Sequence, residues 1–244
     1  DGKDLPDSVM RVAAAIEYDG SSYCGWQRQN HSPSVQAEVE KALSVVADES
    51  ISVVCAGRTD TGVHGVNQFI HFDTTASRLP RQWILGVNAN LPRNIRIHWA
   101  GDKPPQFHAR FSAISRTYRY VISNQFYRSA LYHHLLTWER VSLDEQAMNV
   151  AAQCLIGEHD FTSFRAAGCQ SMSPNRNVHA ASVRREGKLV IFEITANSFL
   201  HHMVRNIVGS LISIGKGDYS SVWLSTLLEN HDRSKASATA PSNG

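Results

Sequence analysis

The chain has 244 residues, 42% hydrophobic and 19% charged, which is typical of one large globular domain or two small ones. No apolar run approaches the length of a membrane span and no secretory h-region opens the sequence, so neither a membrane-spanning nor a secreted protein is expected. The net charge of +2 alone does not indicate a nucleic-acid partner, and the four cysteines form no CxxC pair. A reducing cytoplasm is therefore the simplest setting, without a disulfide framework or a zinc site.

The first half of the chain alternates predicted strands and helices. Residues 10–18 are predicted as a strand, and Ser32 and Pro33 then begin a helix, with the serine as cap and the proline at the first helical position. Further strands are predicted at 51–56, 66–72 and 95–99, and a further helix at 81–90. Residues 101–105, which contain glycine and two prolines, are the best linker candidate, so a domain boundary is expected after residue 105.

The second half also mixes the two kinds of element. A strand is predicted at 116–123, and Ser142 begins a capping box that opens a helix through Leu155. A hairpin is predicted to join strands at 177–184 and 188–196, and a later helix to end at Gly215. The small polar segment 234–244 is expected to be mobile. Because strands and helices do not alternate regularly, the sequence predicts an α+β fold with antiparallel sheet.

Basic side chains concentrate in the middle of the chain. Residues 78–138 contain one acid, Asp102, against nine basic residues, a local charge of +8: Arg78, Arg81, Arg93, Arg96, Lys103, Arg110, Arg116, Arg119 and Arg128. Arginine binds phosphate through a planar, bidentate fork. Since aromatic residues are interleaved with these arginines, the pattern favours an RNA partner over a solvated basic face without a partner.

The most informative segment is Gly57-Arg58-Thr59-Asp60-Thr61-Gly62-Val63-His64, which follows an apolar run. Arg58 and Asp60 are two residues apart and face the same side if the chain stays extended there. An arginine beside an aspartate lowers the pKa of the carboxylate and keeps it ionised. The spacing alone is compatible with a tight turn bearing a surface ion pair or with a site built around one ionised carboxylate.

Histidines do not indicate a metal site in this sequence. His64 follows Asp60 by four residues but lacks the glutamate and second histidine of a metalloprotease helix. The adjacent pairs at 133–134 and 201–202 would point in different directions on a helix. We therefore expect no metal.

The full string Gly-Arg-Thr-Asp-x-Gly-Val-His resembles the catalytic loop of the tRNA pseudouridine synthase A family. Other segments resemble that family's motifs and occur in the family's order: Glu17–Gln29 (EYDGSSYCGWQRQ), Phe107–Ala113 (FHARFSA), Arg116–Tyr120 (RTYRY), Asp160–Arg165 (DFTSFR) and His201–Gly209 (HHMVRNIVG). Several motifs in one order are far more specific than any single motif.

The resemblance implies two α+β domains with mixed or antiparallel sheets that meet at a central basic cleft, the pseudouridine synthase fold. An N-terminal domain with the catalytic loop would span residues 1–105 and a C-terminal domain residues 106–244. It also implies a homodimer acting on uridines 38, 39 and 40 of the tRNA anticodon stem-loop without a cofactor. Family members usually continue past a segment like 238–240 into a final apolar strand that contributes an apolar residue to the active site, and residues 241–244 (PSNG) carry no such pattern.

Specific roles follow from the same resemblance. Asp60 is implied to be the essential catalytic residue, Arg58 to flip the base or hold Asp60, and Arg205 to lie near the aspartate. Tyr118 is implied to stack on the target base and to assist removal of the C5 proton. The remaining residues predicted to bind substrate are Arg110, Arg116, Arg119 and His64, and the histidine is also expected to fix the loop.

The implied reaction breaks the bond from uracil N1 to ribose C1′ and rejoins C1′ to C5. One ionised carboxylate suffices, because the departing uracil anion is delocalised over two carbonyls, unlike an ordinary glycosidase leaving group. Asp60 could attack C1′ or remove a ribose proton, and the sequence leaves both routes open. The alternatives to this function are a non-catalytic RNA-binding module and a hydrolase using Asp60 and His64.

Overall fold

The computed structural model describes residues 8–244, which form two compact units, one ending at Ala113 and the other comprising Ile114–Gly244. The division expected after residue 105 falls inside the first unit. Arg11 holds this segment there, since its Nη1 donates to the carbonyl oxygens of Pro105 at 2.6 Å and Phe107 at 2.8 Å. Within residues 8–244, no helix combines the length and apolar character needed to span a membrane.

The first unit is a four-stranded antiparallel sheet with two helices. The strands stand in the order β2-β3-β1-β4, with β1 at Met10–Tyr18, β2 at Val54–Cys55, β3 at Gly65–Thr74 and β4 at Ile95–Lys103. Helices α1 (Val35–Ala47) and α2 (Pro80–Asn90) pack with one another and bury their apolar stripes in one core with the sheet. Val12, Ala14 and Ile16 point into this core because they alternate along β1.

The opposite face of β1 carries alanines. Ala13 and Ala15 are buried, and Ala15 pairs with Phe69 on one side and Trp99 on the other. Because the alanine side chain is small, the two rings meet across the central strand, with centroids 6.0 Å apart. Gly101 also leaves room for the Trp99 ring, because a Cβ at position 101 would lie 3.0 Å from that ring.

Three predictions for this unit are wrong. Helix α1 begins at Val35 and is capped by Ser34, not by Ser32, because the Ser34 hydroxyl accepts the N–H of Ala37 at 3.2 Å. The predicted linker is partly strand, since residues 101–103 complete β4 and pair with residues 11–13 of β1. The strand predicted at 51–56 is reduced to two residues, because only Val54 and Cys55 pair with β3.

The second unit is a five-stranded sheet in the order β6-β5-β9-β8-β7. Its strands are β5 (Arg116–Asn124), β6 (Thr137–Glu139), β7 (Gly157–Asp160), β8 (Asn175–Glu186) and β9 (Leu189–Ala196). Only the β5–β6 pair is parallel, so the sheet is mixed, and the predicted α+β class is confirmed. Its helices are α3 (Glu145–Ala152), α4 (Met203–Gly215) and α5 (Trp223–Asn230). Helix α3 is capped by Asp144 instead of Ser142, because the Asp144 carboxylate accepts the N–H of Ala147 at 2.9 Å.

The C-terminal segment packs on α4, so the prediction that residues 234–244 are mobile is wrong. Arg205 exchanges two hydrogen bonds with Ala240: its Nε donates to the Ala240 carbonyl at 2.9 Å, and its carbonyl accepts the Ala240 N–H at 3.1 Å. Gly209, one turn further along α4, makes room for this segment, since a Cβ there would overlap the carbonyl oxygen of Ala238. Residues 236–244 form no strand.

Glu40 holds the segment between α1 and β2 through a hydrogen bond, and its removal should destabilise the protein. This buried carboxylate on α1 accepts the N–H of Val53 and the side-chain amide of Gln36, both at 3.0 Å, and the guanidinium of Arg28 at 2.7 Å. Glu40→Ala leaves those donors unsatisfied and should lower the free energy of unfolding by roughly 2–3 kcal/mol in urea denaturation. Lys41→Ala, on the exposed side of the same helix, is the control. Equal stabilities for the two variants would contradict this role for Glu40.

His71 should make the stability depend on pH. Burial, with Arg11 and His108 nearby, lowers the pKa of His71 from 6.5 to about 4, against the opposing effect of Asp73, and its neutral Nδ1 accepts the N–H of Ala109 at 3.0 Å. A depressed histidine pKa means that the unfolded chain binds the proton first. Stability is therefore complete above pH ~6.5 and falls by about 2–3 kcal/mol as the pH decreases towards 4.

His71→Gln should remove this component of the pH dependence when unfolding free energies are compared between pH 7 and pH 4. His98→Gln, at an exposed position on β4, is the matched control and should retain the wild-type dependence. An unchanged pH profile for His71→Gln would show that the wild-type dependence arises elsewhere.

Candidate active site

The loop between β2 and β3 carries Asp60, and the residue before it is held by the segment after β1. The carbonyl oxygen of Thr59 accepts the N–H of Trp26 at 3.1 Å, and its hydroxyl is hydrogen-bonded to the Tyr18 hydroxyl at 2.8 Å. Gly25 allows this approach, because it has a φ of +88° and a Cβ there would lie 2.8 Å from the Thr59 carbonyl oxygen. Thr59 is therefore fixed through both its backbone and its side chain.

A turn follows Asp60 and fixes its other side. The Asp60 carbonyl oxygen accepts the N–H of Val63 at 3.1 Å, and Gly62 takes a φ of +82° within the turn. At the start of the loop, the Gln68 side chain binds both backbone groups of Gly57, accepting at 3.3 Å and donating at 2.5 Å. The half-buried Asp60 side chain thus projects from a backbone held before and after it.

His64 ties the end of the loop to the 3₁₀ turn at Gly20–Ser22. Its Nδ1 accepts the N–H of Gly20 at 3.0 Å and lies 3.2 Å from Oδ1 of Asp19, which caps that turn through Ser21. The close contact needs a glycine, since a Cβ on Gly20 would overlap the carbonyl oxygen of Val63. The structure therefore places His64 where it supports the loop backbone.

Arg58 is exposed and forms no ion pair with Asp60 or any other acid of residues 8–244. Its charge and that of Arg110 both reach the Cys55 thiol: burial raises the pKa of Cys55, and these two guanidinium groups oppose the rise. The first unit thus brings Arg58 and Arg110 into the neighbourhood of one partly buried thiol.

The segment that presents Arg110 is organised around His108. Burial and the charges of Arg11 and Arg110 lower the pKa of His108, and its Nδ1 accepts the N–H groups of Arg110 and Phe111, both at 3.2 Å. The ring of Phe111 stacks on His108 with centroids 4.2 Å apart. A neutral imidazole is required for this arrangement, because only an unprotonated nitrogen accepts hydrogen bonds.

In the second unit, the two faces of β5 carry different predicted residues. Tyr118 packs edge to face with Phe199, with centroids 4.9 Å apart, and Arg116, on the same face, donates to the carbonyl oxygen of Asn197 at 2.8 Å. Arg119 lies on the other face and pairs with Glu193 on β9. The structure therefore groups Arg116 with Tyr118 and separates Arg119 from them.

Arg205 lies in the first turn of α4, where it holds the C-terminal segment through Ala240. Tyr120 binds the same segment, since its hydroxyl donates to the Pro241 carbonyl oxygen at 2.7 Å and is hydrogen-bonded to Thr137 at 2.6 Å. Burial raises the pKa of Tyr120 to about 12, although the charge of Arg205 acts in the opposite direction. Tyr120 is therefore a protonated structural neighbour of Tyr118 on β5.

Sequence reasoning missed the residues that support the predicted ones. Tyr18, Gly25 and Gln68 hold the Asp60 loop, and Phe199 packs against Tyr118. The only available signal was indirect: Tyr18 and Gly25 belong to the segment 17–29 that resembles the family's opening motif. Gln68 and Phe199 carried no signal of their own.

Comparisons with known proteins agree with this architecture. The protein-family profile described as tRNA pseudouridine synthase matches residues 14–112 and 151–244. The tRNA pseudouridine synthase A of Shewanella denitrificans is 58% identical over 235 residues, which cover 96% of this chain and 90% of that relative. The proteins of the same name from Shewanella woodyi, 57% identical with coverage of 96% and 90%, and Hydrogenovibrio crunogenus, 54% identical with coverage of 96% and 89%, are similar along the same length. The chain therefore belongs to the tRNA pseudouridine synthase family.

Proposed function

We propose that this protein isomerises uridine to pseudouridine in the anticodon stem-loop of tRNA, at positions 38, 39 and 40. The observation that carries the proposal is Asp60, on a loop that matches the family's catalytic motif and is hydrogen-bonded on both sides of the aspartate. The extended similarity to proteins named tRNA pseudouridine synthase A supports the same substrate.

The chemistry assigned to Asp60 begins with its ionised carboxylate. In one route an Asp60 oxygen attacks ribose C1′, and the bonding pair of C1′–N1 leaves with the uracil anion. In the other route Asp60 removes a ribose proton and the uracil anion leaves to give a glycal. In the first route the uracil rotates and its C5 attacks C1′, displacing the Asp60 oxygen as a carboxylate. In the second, C5 adds to C1′ of the glycal while protonated Asp60 returns the proton to the ribose. Both routes end when the C5 proton is lost to a base. A rigid carboxylate suits either route, because its orientation is fixed before substrate arrives.

The other predicted residues receive roles that fit their surroundings. Tyr118 presents a ring held by Phe199 on which the uracil stacks, and its hydroxyl assists removal of the C5 proton. Exposed Arg58 flips the base, and Arg205 holds the C-terminal segment and contributes its positive charge to the reaction. His64 supports the loop that contacts substrate.

Phosphate contacts are assigned to three arginines. Arg110 is exposed on the segment organised by His108, and Arg116 lies on the Tyr118 face of β5. Arg119 lies on the opposite strand face beside Glu193, so its phosphate contact involves another part of the RNA. Their planar guanidinium groups suit bidentate binding of phosphate oxygens.

The working form is a homodimer in the cytoplasm, with one tRNA contacting both subunits. The proposal uses no metal and no organic cofactor, since one carboxylate and a delocalised leaving group account for the bond cleavage. A non-catalytic RNA-binding module would retain the arginines but would not depend on Asp60.

Replacing Asp60 by Asn should abolish catalysis while tRNA binding persists. The amide is nearly isosteric but cannot act as the nucleophile or base, so tritium release from tRNA labelled at uridine C5 should disappear under single-turnover conditions. Asp48→Asn is the control, because Asp48 is exposed in a left-handed conformation that asparagine tolerates. Substantial turnover by Asp60→Asn would remove the catalytic assignment.

Tyr118→Phe and Tyr118→Ala should separate stacking from proton transfer. Loss of the hydroxyl should reduce the rate by roughly 10²–10⁴-fold at nearly unchanged tRNA affinity. Loss of the ring should also weaken binding, by about 1–3 kcal/mol. Rates and Kd values are compared with those of Tyr219→Phe, an exposed tyrosine outside the proposed site. Wild-type turnover in both Tyr118 variants would show that Tyr118 has only a structural role.

A further inference from the structure

The segment between β5 and β6 exposes three aromatic rings, two of which lie against cations, and the proposed chemistry uses none of them. Phe126, Tyr127 and Tyr132 are 73%, 60% and 54% exposed. The cations are Arg128, Arg140 and Lys188. We call these six residues the aromatic–basic surface. Exposed rings clustered in this way mark an interaction site more often than scattered single ones do.

Two of the cations orient two of the rings. The guanidinium carbon of Arg140 lies 4.5 Å from the centroid of Phe126, and Lys188 Nζ lies 5.2 Å from the Tyr127 centroid and donates to its hydroxyl at 3.2 Å. These cation–π contacts hold the rings in position while leaving most of each ring open to solvent.

The positive charge of this surface is not neutralised by its neighbours. Arg128 has neither an ion pair nor a hydrogen bond to any residue in the described part of the chain. The acids next to the surface along the chain are committed elsewhere, Glu139 to Lys216 at 2.9 Å and Glu186 to Arg184 at 2.7 Å. Three positive charges therefore remain available to an anionic partner.

The backbone beneath the rings is held in place. The indole of Trp138 donates to the carbonyl oxygen of Gln125 at 2.9 Å, and the Tyr132 carbonyl oxygen accepts the N–H of Leu135 at 3.0 Å. The side-chain amide of Asn243 donates to the Leu136 carbonyl oxygen at 3.1 Å. Rings on a fixed backbone lose little conformational entropy when they bind a partner.

Open rings among uncompensated cations match the chemistry of unpaired nucleotides. Bases stack on aromatic side chains while cations neutralise the adjacent phosphates. A second copy of the chain fits less well, because a symmetric interface centred here would oppose three cations to the same three cations.

This surface lies far from Tyr118 within the same unit. Asn124, where β5 ends, lies six residues beyond Tyr118, a span of about 20 Å at the usual rise of a strand. We propose, on the basis of the function proposed above, that the aromatic–basic surface binds unpaired nucleotides of the same tRNA, away from the target uridine. It would thereby favour intact tRNA over an isolated anticodon stem-loop.

The test compares two RNAs and matched variants. The double variant Phe126→Ala, Tyr127→Ala removes the two cation-oriented rings, and its Kd is measured by fluorescence anisotropy for intact tRNA and for the isolated anticodon stem-loop. Intact tRNA should bind about tenfold more weakly, with a much smaller change for the stem-loop. Leu85→Ala, at an exposed apolar position in the first unit, is the control and should change neither Kd. Melting temperatures establish that each variant is folded.

The cations are tested through salt dependence. Arg128→Ala combined with Arg140→Ala should reduce the slope of log Kd against log salt concentration by about 2 for intact tRNA. Lys41→Ala, which removes an exposed cation from α1, should leave the slope unchanged. A photoreactive benzophenone residue in place of Tyr132 should crosslink to tRNA nucleotides outside the anticodon stem-loop.

Three outcomes would overturn the proposal: an unchanged preference for intact tRNA in the ring variant, equal losses for the two RNAs, or crosslinks from position 132 to a second copy of the chain. A variant that becomes monomeric would likewise assign the surface to self-association. Tritium release is scored separately in the wild-type protein. Its absence, with the binding differences present, would contradict the proposed reaction while supporting the RNA-binding surface.

Discussion

The position of the Asp60 loop in the first unit depends on two hydrogen bonds to Thr59. The loop from Ala56 to His64 follows a strand of only two residues, so no ladder holds its backbone where Asp60 stands. The Trp26 amide and the Tyr18 hydroxyl hold Thr59 by hydrogen bonds in place of sheet pairing. Each such bond is worth only about 0.5–1.5 kcal/mol, so the orientation of Asp60 depends on several weak contacts acting together.

In the second unit, the buried side-chain amide of Asn206 joins separate segments, as the hydrogen bonds to Thr59 do in the first. Asn206 on α4 is almost fully buried, donates to the carbonyl oxygen of Phe164 at 2.9 Å, and accepts from Arg233 at 3.0 Å and from Thr239 at 2.6 Å. One side chain thereby joins α4, the turn before Arg165 and the C-terminal segment. Because every partner is satisfied, this polar network stabilises a single arrangement instead of carrying the cost of an unpaired buried group.

Local patterns predicted the elements that local forces determine. Strand β1 was predicted with its observed limits, and the β8–β9 hairpin and α4 followed from alternation and helical spacing. The cap of α1 was misplaced by two residues, because several serines could cap the helix and packing selects among them. The C-terminal segment was misjudged because its partners, Arg205 and Tyr120, are distant in sequence and its small polar composition contains no trace of them.

In the candidate site, too, the sequence did not reveal contacts between residues that are distant along the chain. Asp60 and Tyr118 were identified through resemblance to a family, whereas spacing alone left both open to structural interpretations. Arg58 and Asp60 were expected to face the same side only if the chain stayed extended, and the chain does not continue as a strand through residues 58–60. Tyr18 and Thr59, separated by 41 residues, could not be paired from the sequence, since nothing local encodes a contact at that range.

The backbone amide of Trp26 reports on opening of the Asp60 loop. Its N–H is donated across to the Thr59 carbonyl oxygen and not to a partner within a helix or sheet. Opening of the loop exposes that single proton to solvent, whereas the surrounding strands keep theirs. The exchange rate of the Trp26 amide with deuterium therefore measures the free energy needed to release the backbone beside Asp60, independently of substrate and of global unfolding.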